Sequence, residues 1–387
     1  MPNTHQPHST LIDHLKELPD PRVNRTRYHE LTDILVISIC TLLCGGESFY
    51  DMEDFGKAKQ DWFATFLPLP NGIPSHDTFT RVFSILDPAS FQDCFMRWTQ
   101  SLREAIDREI VAIDGKALRH AREAGGDIRY IVNAWAGANR LILGHLKVPD
   151  KTNEITAVPT LLRALELTGC IVTTDAMGCQ KKIAREIIEA DADYVLALKG
   201  NHETVHEEVV SFLDHEIARH AALAPPRMTG TPAPAITFAT LETADKGHGR
   251  LEIRRYFQST DLGWFADLDE WEGLKSVGMV ESIREIKGVQ SIERRYYLTS
   301  LPLDVAQFAG AVRGHWGVEN SCHWVLDVVM REDQSRARTG FSAENLATAR
   351  RMAINLLNRE KTKKRGIKGK QLNASWDHNY LLRLLNF

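Results

Sequence analysis

Several things are scarce in this 387-residue sequence, and each absence narrows what the chain can be. Its six cysteines, Cys40, Cys44, Cys94, Cys170, Cys179 and Cys322, form no Cys-x-x-Cys pair. A zinc knuckle or a dithiol redox centre needs that spacing, so a reduced, cytoplasmic chain is expected. No apolar run is long enough to cross a bilayer, and the longest, Ile34 to Cys44, is interrupted by Ser38 and Thr41. The polar start, Met1 to Thr10, lacks a basic-then-apolar pattern, so neither an export signal nor a membrane partner is expected. Net charge is also small, −4 from 47 basic and 51 acidic residues. Distribution says more than the sum. Between 350 and 370 stand Arg350, Arg351, Arg359, Lys361, Lys363, Lys364, Arg365, Lys368 and Lys370, against the single acid Glu360. Such a run attracts a phosphate backbone, so residues 359–387 are expected to form a basic tail with Lys363, Lys364 and Arg365 facing nucleic acid.

What the sequence does have is a pair of apolar runs that each stop on a carboxylate. Glu109-Ile-Val-Ala-Ile-Asp114-Gly-Lys116 reads as a buried, mostly β-branched strand ended by Gly115. Cys170-Ile-Val-Thr-Thr-Asp175-Ala-Met-Gly178 repeats the arrangement. Taken alone, either Asp would serve to cap the next segment. Together they predict one site with two carboxylates, because open α/β sheets place their chemistry at the carboxyl ends of strands. Between and after them the pattern continues. Strands at Tyr130–Trp135 and Leu141–Val148 flank a Gly137-Ala-Asn139 turn, helices cover Ile155–Leu167 and Gln180–Ala190, and a strand covers Tyr194–Leu198 before Lys199-Gly-Asn201. The order β-β-β-α-β-α-β is that of a ribonuclease H-like fold, an α/β class with a mixed sheet and flanking helices. In that order the fourth strand lies beside the first and parallel to it, which would make Asp114 and Asp175 neighbours.

The remaining segments suggest five parts: a helical, DNA-binding region (1–105), the first part of the core (106–200), an insertion of helix plus β-layer (201–303), closing helices (304–358) and the basic tail. Leu31–Cys44 reads as an apolar helix and Tyr50–Leu67 as an amphipathic one. Ser75 and Asp77 offer caps for a following helix that would bring Ser75, His76, Thr78 and Arg81 toward DNA. A Pro-rich connector (Pro225, Pro226, Pro232, Pro234) opens the β-layer. Within that layer Arg250, Glu252 and Arg254 share one strand face, as a solvated ion-pair ladder or, between Gly247 and Gly249, as a phosphate grip. Trp264 and Trp271 are read as packing residues. In the closing helices His315, Glu319, His323 and Asp327 recur every four residues and so share roughly one α-helical face, with Trp316 and Trp324 beside it as anchors. Zinc-protease helices keep their two histidines one turn apart. A carboxylate from this helix completing the aspartate pair is the better account.

In this order the words Leu18-Pro-Asp-Pro-Arg22, Ala112-Ile-Asp114-Gly-Lys116, Thr174-Asp175-Ala176, Leu198-Lys199-Gly-Asn201, His315-Trp316-Gly-Val-Glu319-Asn320 and His323-Trp324-x-x-Asp327 resemble the DDE-type insertion-sequence transposases, in particular the H-repeat-associated group. The likeness covers nearly the whole chain. It implies a catalytic triad of Asp114, Asp175 and Glu319 holding two Mg²⁺ ions, or Mn²⁺, roughly 4 Å apart. It also implies cleavage and strand transfer on double-stranded DNA at transposon ends and target, by a homodimer assembled on DNA in the bacterial cytoplasm. His315, His323, Asp327 and Lys199 would support the triad, and Lys116, Arg250, Arg254 and Arg313 would join the basic tail in gripping phosphates. One departure stands out. A related group carries Tyr-x2-Arg-x3-Glu-x6-Lys around its glutamate, where this chain has Val312, His315 and Leu326 at the tyrosine, arginine and lysine positions. Arg313, Arg331 and Lys199 are the available substitutes. Two alternatives stay open: a catalytically silent DNA-binding relic, and a nuclease without strand transfer.

Overall fold

The computed structural model describes residues 10–122, 128–148, 154–222, 237–247, 250–286 and 289–386. The Pro225–Pro234 connector and Gly249 lie outside them. The chain divides into two compact units, one of Met1–Ile106, Gly115–Asn153 and Gly317–Phe387, the other of Asp107–Asp114 and Glu154–Trp316. Among the described residues, no helix is long and apolar enough to cross a membrane.

The first unit is built around a buried helix. Its amino-terminal helices are α1 (Leu11–Lys16), α2 (Leu31–Leu43), α3 (Phe49–Ala58), α4 (Gln60–Phe63), α5 (His76–Ile85) and α6 (Pro88–Leu102). The expected single helix over 50–67 breaks at Lys59, whose backbone leaves the helical region. Ser75 does stand at the N-cap of α5, yet its side chain makes no capping bond. The His76 amide donates to Glu53 Oε2 instead, and the His76 ring stacks on Tyr50. Later come α11 (Ser342–Arg359), α12 (Ile367–Trp376) and α13 (His378–Leu385). Residues 367–385 are therefore packed helices, and the expected basic tail is a short exposed stretch from Lys361 to Gly366. Nearly every residue of α11 is buried. Asn345 ties it to the end of α5 by donating to the carbonyls of Phe83 and Leu86, 2.8 and 2.9 Å away. Farther along, Asn355 both accepts from and donates to the Ile142 backbone, satisfying peptide groups of an edge strand.

That strand is β3 (Leu141–Val148), antiparallel to β2 (Ile128–Ala136), which neighbours β1 (Ile110–Arg122). β1 belongs to both units. It was expected to stop at Gly115 and instead runs on to Arg122, because its later residues still have β2 to pair with. In the second unit the order is β1-β4-β5-β9-β8-β7-β6, with β4 (Ile171–Thr174), β5 (Asp193–Leu198), β6 (Phe238–Gly247), β7 (Arg250–Ser259), β8 (Ser276–Ile286) and β9 (Val289–Thr299). β4 and β5 run parallel to β1, and the order β3-β2-β1-β4-β5 is the ribonuclease H-like one. The expected β-layer is no separate layer: β9 pairs antiparallel with β5 and continues the sheet. Trp271 is buried and Trp264 stacks on Phe212, both as packing residues.

Helices α7 (Glu154–Ala164), α8 (Lys181–Glu189), α9 (Glu203–Ala222) and α10 (Val305–Gly317) complete the second unit. α10 sits on the sheet over a core that includes Ile171, Val195, Tyr256, Tyr297 and Phe308. Two glycines allow the approach. A Cβ on Gly278 would stand 2.5 Å from the Phe308 ring, and one on Gly314 would stand 2.7 Å from Ile110 Cδ1. Because overpacking a close contact costs about 1–3 kcal/mol, Gly278→Val should lower unfolding free energy by about that amount, read as a shifted urea midpoint with an unchanged slope.

Candidate active site

Strand alternation decides where the two aspartates point. Ile110 and Ile171 pack toward α10, and side chains two and four residues on share their face. Asp114 and Asp175 are therefore on the α10 face. They follow directly after the last aligned pair of the two parallel strands, Ile113 and Thr174, and neighbouring strands lie about 4.8 Å apart. The two carboxylates come from adjacent positions on one face of the second unit.

Asp175 has two jobs available to it. Its Oδ1 accepts from the amides of Met177 at 3.0 Å and Gly178 at 3.2 Å, capping the short 3₁₀ turn that follows. This fixes the carboxylate and leaves Oδ2 for another ligand. His315, near the end of α10, reaches the same place, with Nδ1 2.9 Å from Thr173 Oγ1. Burial pulls its pKa below the ordinary value, against the opposing pull of Asp175, so the ring is neutral near pH 7. Lys199 stands exposed just beyond β5. Hard carboxylate oxygens at this point suit Mg²⁺ or Mn²⁺. Among the described residues, no three His, Cys, Asp or Glu side chains are gathered closely enough to hold a metal as they stand.

The segment carrying Glu319 departs from the expected regular α-helix. After Gly317 the backbone widens into π-helical turns at Val318–His323 and Val325–Val329. The segment is thus wider than the α-helix that the spacing suggested. Glu319 is exposed. In the first unit His323 Nε2 lies 3.2 Å from Asn133 Nδ2, and Asp327 pairs with Lys116 at 2.6 Å. Trp316 and Trp324 are 38% and 55% exposed, so neither anchors the helix in a core; the Arg295 guanidinium lies over the Trp316 ring.

Several expected DNA contacts are corrected. Lys116 is buried, and its ammonium faces Asp327, Glu332 at 3.3 Å and Asp333 at 3.2 Å. Arg254 is taken up by Asp245 at 2.8 Å and Glu252 at 2.5 Å, so its strand face is the ion-pair ladder. Arg284 joins that face through Glu252, and Arg255 and Arg294 form a second set of pairs with Glu242 and Glu281 on the opposite face. Arg250 pairs through its backbone with Gly247 and Ile286, and its side chain is outside the description. Arg313 is exposed, 3.5 Å from Asp245. Lys363, Lys364 and Arg365 are exposed beside Lys361 and Lys368, whereas Arg350, Arg351 and Lys370 of the same run are buried.

Sequence reasoning missed the partners of Lys116. Glu332 is buried between Lys116 and Arg351, whose Nη1 is 2.8 Å away, and Arg351 Nε donates to Asn133 Oδ1 at 2.8 Å. Burial alone would raise the Glu332 pKa, but Arg351, Lys116 and Arg350 outweigh it and hold the group at about 2. Burial likewise opposes the Lys116 charge, and Glu332, Asp327 and Asp333 hold its pKa above the usual value. A signal was present: Arg350 and Arg351 sit within the run Leu346–Leu357, which is rich in Ala, Leu, Met and Ile, and buried arginines demand a carboxylate.

A mixed sheet of ribonuclease H-like order, with Asp114 and Asp175 side by side where the β1–β4 pairing ends, defines an α/β protein of ribonuclease H-like class. Two family models agree: one described as "Transposase DDE domain" matches residues 106–356, and one described as "DDE_Tnp_1-associated" matches residues 12–99. The chain belongs to the DDE transposase family. It is 37% identical to the "H repeat-associated putative transposase YhhI" of Escherichia coli (strain K12), over 97% of each chain. Identity is also 37% with the "Putative transposase YncI" of Escherichia coli O157:H7, over 97% of this chain and 94% of that one. A shorter relative, the "Inactive transposase YbfQ" of Escherichia coli (strain K12), is 40% identical over 19% of this chain and 88% of its own.

Two outcomes follow. Asp175→Ala should lose about 1 kcal/mol with its cap, while Asp175→Asn, which keeps an accepting oxygen, should unfold close to wild type in denaturant. For Glu332, a folded pKa of about 2 lies below the unfolded value near ~4.3. Its stabilisation is complete above the unfolded value and is lost as pH falls toward the folded one. Melting curves between pH 5 and pH 2 should therefore show wild type losing stability more steeply than Glu332→Gln.

Proposed function

We propose that this chain binds the ends of an insertion sequence as double-stranded DNA and catalyses their divalent-metal-dependent cleavage and transfer to target DNA, acting as a homodimer assembled on DNA. The observation that carries the reading is the pair Asp114 and Asp175, adjacent just past the last aligned residues of the parallel β1–β4 pair and on one face. The family membership of the chain supports the same reaction class.

Asp114 and Asp175 would hold the ions, with Glu319 as third carboxylate on the strength of its sequence word. When bound, two such ions activate the attacking oxygen and stabilise the leaving one. The chain's own residues do the rest. The cap bonds to Asp175 Oδ1 fix that carboxylate before metal arrives, so less ordering is required on binding. His315, kept neutral and tied to Thr173, is able to orient a phosphate oxygen or a water without adding charge. Lys199 and Arg313 are exposed cations on the same unit, suited to phosphates that the arginine and lysine of the related signature would otherwise meet. On the other unit the exposed Lys363, Lys364 and Arg365 would supply a sequence-independent grip.

The test is a duplex carrying the terminal repeat that flanks the gene, incubated with Mg²⁺, Ca²⁺ or no metal. Wild type should cut at the repeat boundary with Mg²⁺ alone. Asp114→Asn, Asp175→Asn and Glu319→Gln should each fall to background while still shifting the duplex in a gel. Binding without cleavage by wild type would leave a silent DNA-binding protein. Cleavage without joined products would leave a nuclease. Replacing Lys363, Lys364 and Arg365 with alanine should flatten the log-affinity against log-salt slope by about 3 at most.

A further inference from the structure

We infer that the buried cluster around Lys116 and Glu332 is a positioning device for the π-turned helix segment that bears Glu319. The inference rests on the reading above only in assigning Glu319 to the metal site. Everything it uses lies within the first unit. Lys116 stands on β1, two residues after Asp114, with a side chain 5% exposed. Its ammonium meets Asp327, which belongs to the second π turn, together with Glu332 and Asp333 from the turn just beyond it. The first π turn is gripped separately, through His323 and Asn133 of β2. The two grips are one network, because Arg351 of α11 donates to Asn133 and pairs with Glu332.

The chemistry explains why the grip is ionic. π turns are rare and persist where surrounding contacts over-determine them. The outer face of this segment, with Glu319, Trp324 and Val328, is exposed, so its position is set from the inside. Apolar packing of Val318, Cys322, Val325 and Leu326 provides adhesion but little directional constraint. An ammonium shared among three carboxylates is directional, and losing it strands like charges together. The chain spends this constraint on the connection between β1, the strand that carries Asp114, and the segment that carries Glu319. α11 has other attachments, such as Asn345 to α5, that do not touch that segment. A network serving only the core would have no reason to reach into both π turns.

The test compares Lys116→Met, Lys116→Arg and Asn345→Ala with wild type, full-length, at temperatures where each is at least nine-tenths folded by circular dichroism. Hydrogen exchange is read first, without metal or DNA. Lys116→Met should speed exchange of amides in 318–329 by about tenfold or more while the rest of α11 and α2 keep their protection. Lys116→Arg should restore most of it, and Asn345→Ala should loosen α5 and α11 but not 318–329. Mg²⁺ titration of end cleavage is read second. Disturbing a partner that orients a metal ligand typically costs 10–100-fold in metal affinity, so Lys116→Met should raise the half-saturating Mg²⁺ concentration by about tenfold or more. Asn345→Ala should leave it unchanged. If Lys116→Met loosens the whole unit evenly, or leaves 318–329 as protected as wild type, the positioning role is overturned. If wild type does not cleave, the proposed function fails, and the exchange arm still decides whether the cluster holds the segment.

Discussion

A fully buried ion cannot be left to water, and the first unit is arranged about that constraint. Lys116, Arg350 and Arg351 carry three positive charges where Asp327, Glu332 and Asp333 carry three negative ones, and the members come from β1, the second π turn, the turn after it and α11. Pairing of this kind contributes little net stability over a well-packed apolar core, because desolvation offsets most of the attraction. What it contributes is directionality. Removing any one partner leaves the others uncompensated, so the elements are held in one arrangement rather than in several of similar energy.

The second unit reaches its geometry differently. Its sheet brings Asp114 and Asp175 together through parallel register, and α10 lies close to that sheet because Gly278 and Gly314 present no side chain at the contacts with Phe308 and Ile110. The helix so placed brings His315 to Thr173. Steric absence does here what charge pairing does in the first unit. The antiparallel extension through β9, β8, β7 and β6 is rich in ion pairs on its surface, notably Arg254 and Arg284 on Glu252 and Arg255 and Arg294 on Glu281. Those pairs neutralise arginines that composition alone would offer to DNA.

Much of this was legible in the chain. Strands that are apolar, β-branched and closed by a carboxylate announce themselves by local pattern, and β4 and β5 fall where that pattern puts them. The hairpin of β2 and β3 is announced by its turn. Local pattern failed where the decisive partner was remote. β1 outruns Gly115 because β2 is there to pair with it. Residues 359–387 read as a basic tail because basic residues crowd 350–370, yet Lys370 donates to the carbonyl of Leu357, and Tyr380 to Glu360.

The sequence by itself determined the order of elements, the class of fold and the two aspartates on neighbouring strands, since each depends on a local period or a strand order that the chain spells out. Only the tertiary structure decided which charges are available. Lys116 and Lys363 look alike in sequence; one is enclosed by three carboxylates and the other faces solvent. It also decided that Glu319, His323 and Asp327 stand in π turns rather than in the expected regular α-helix. Charge compensation and helix widening both depend on residues far away in the chain, and no local pattern records them.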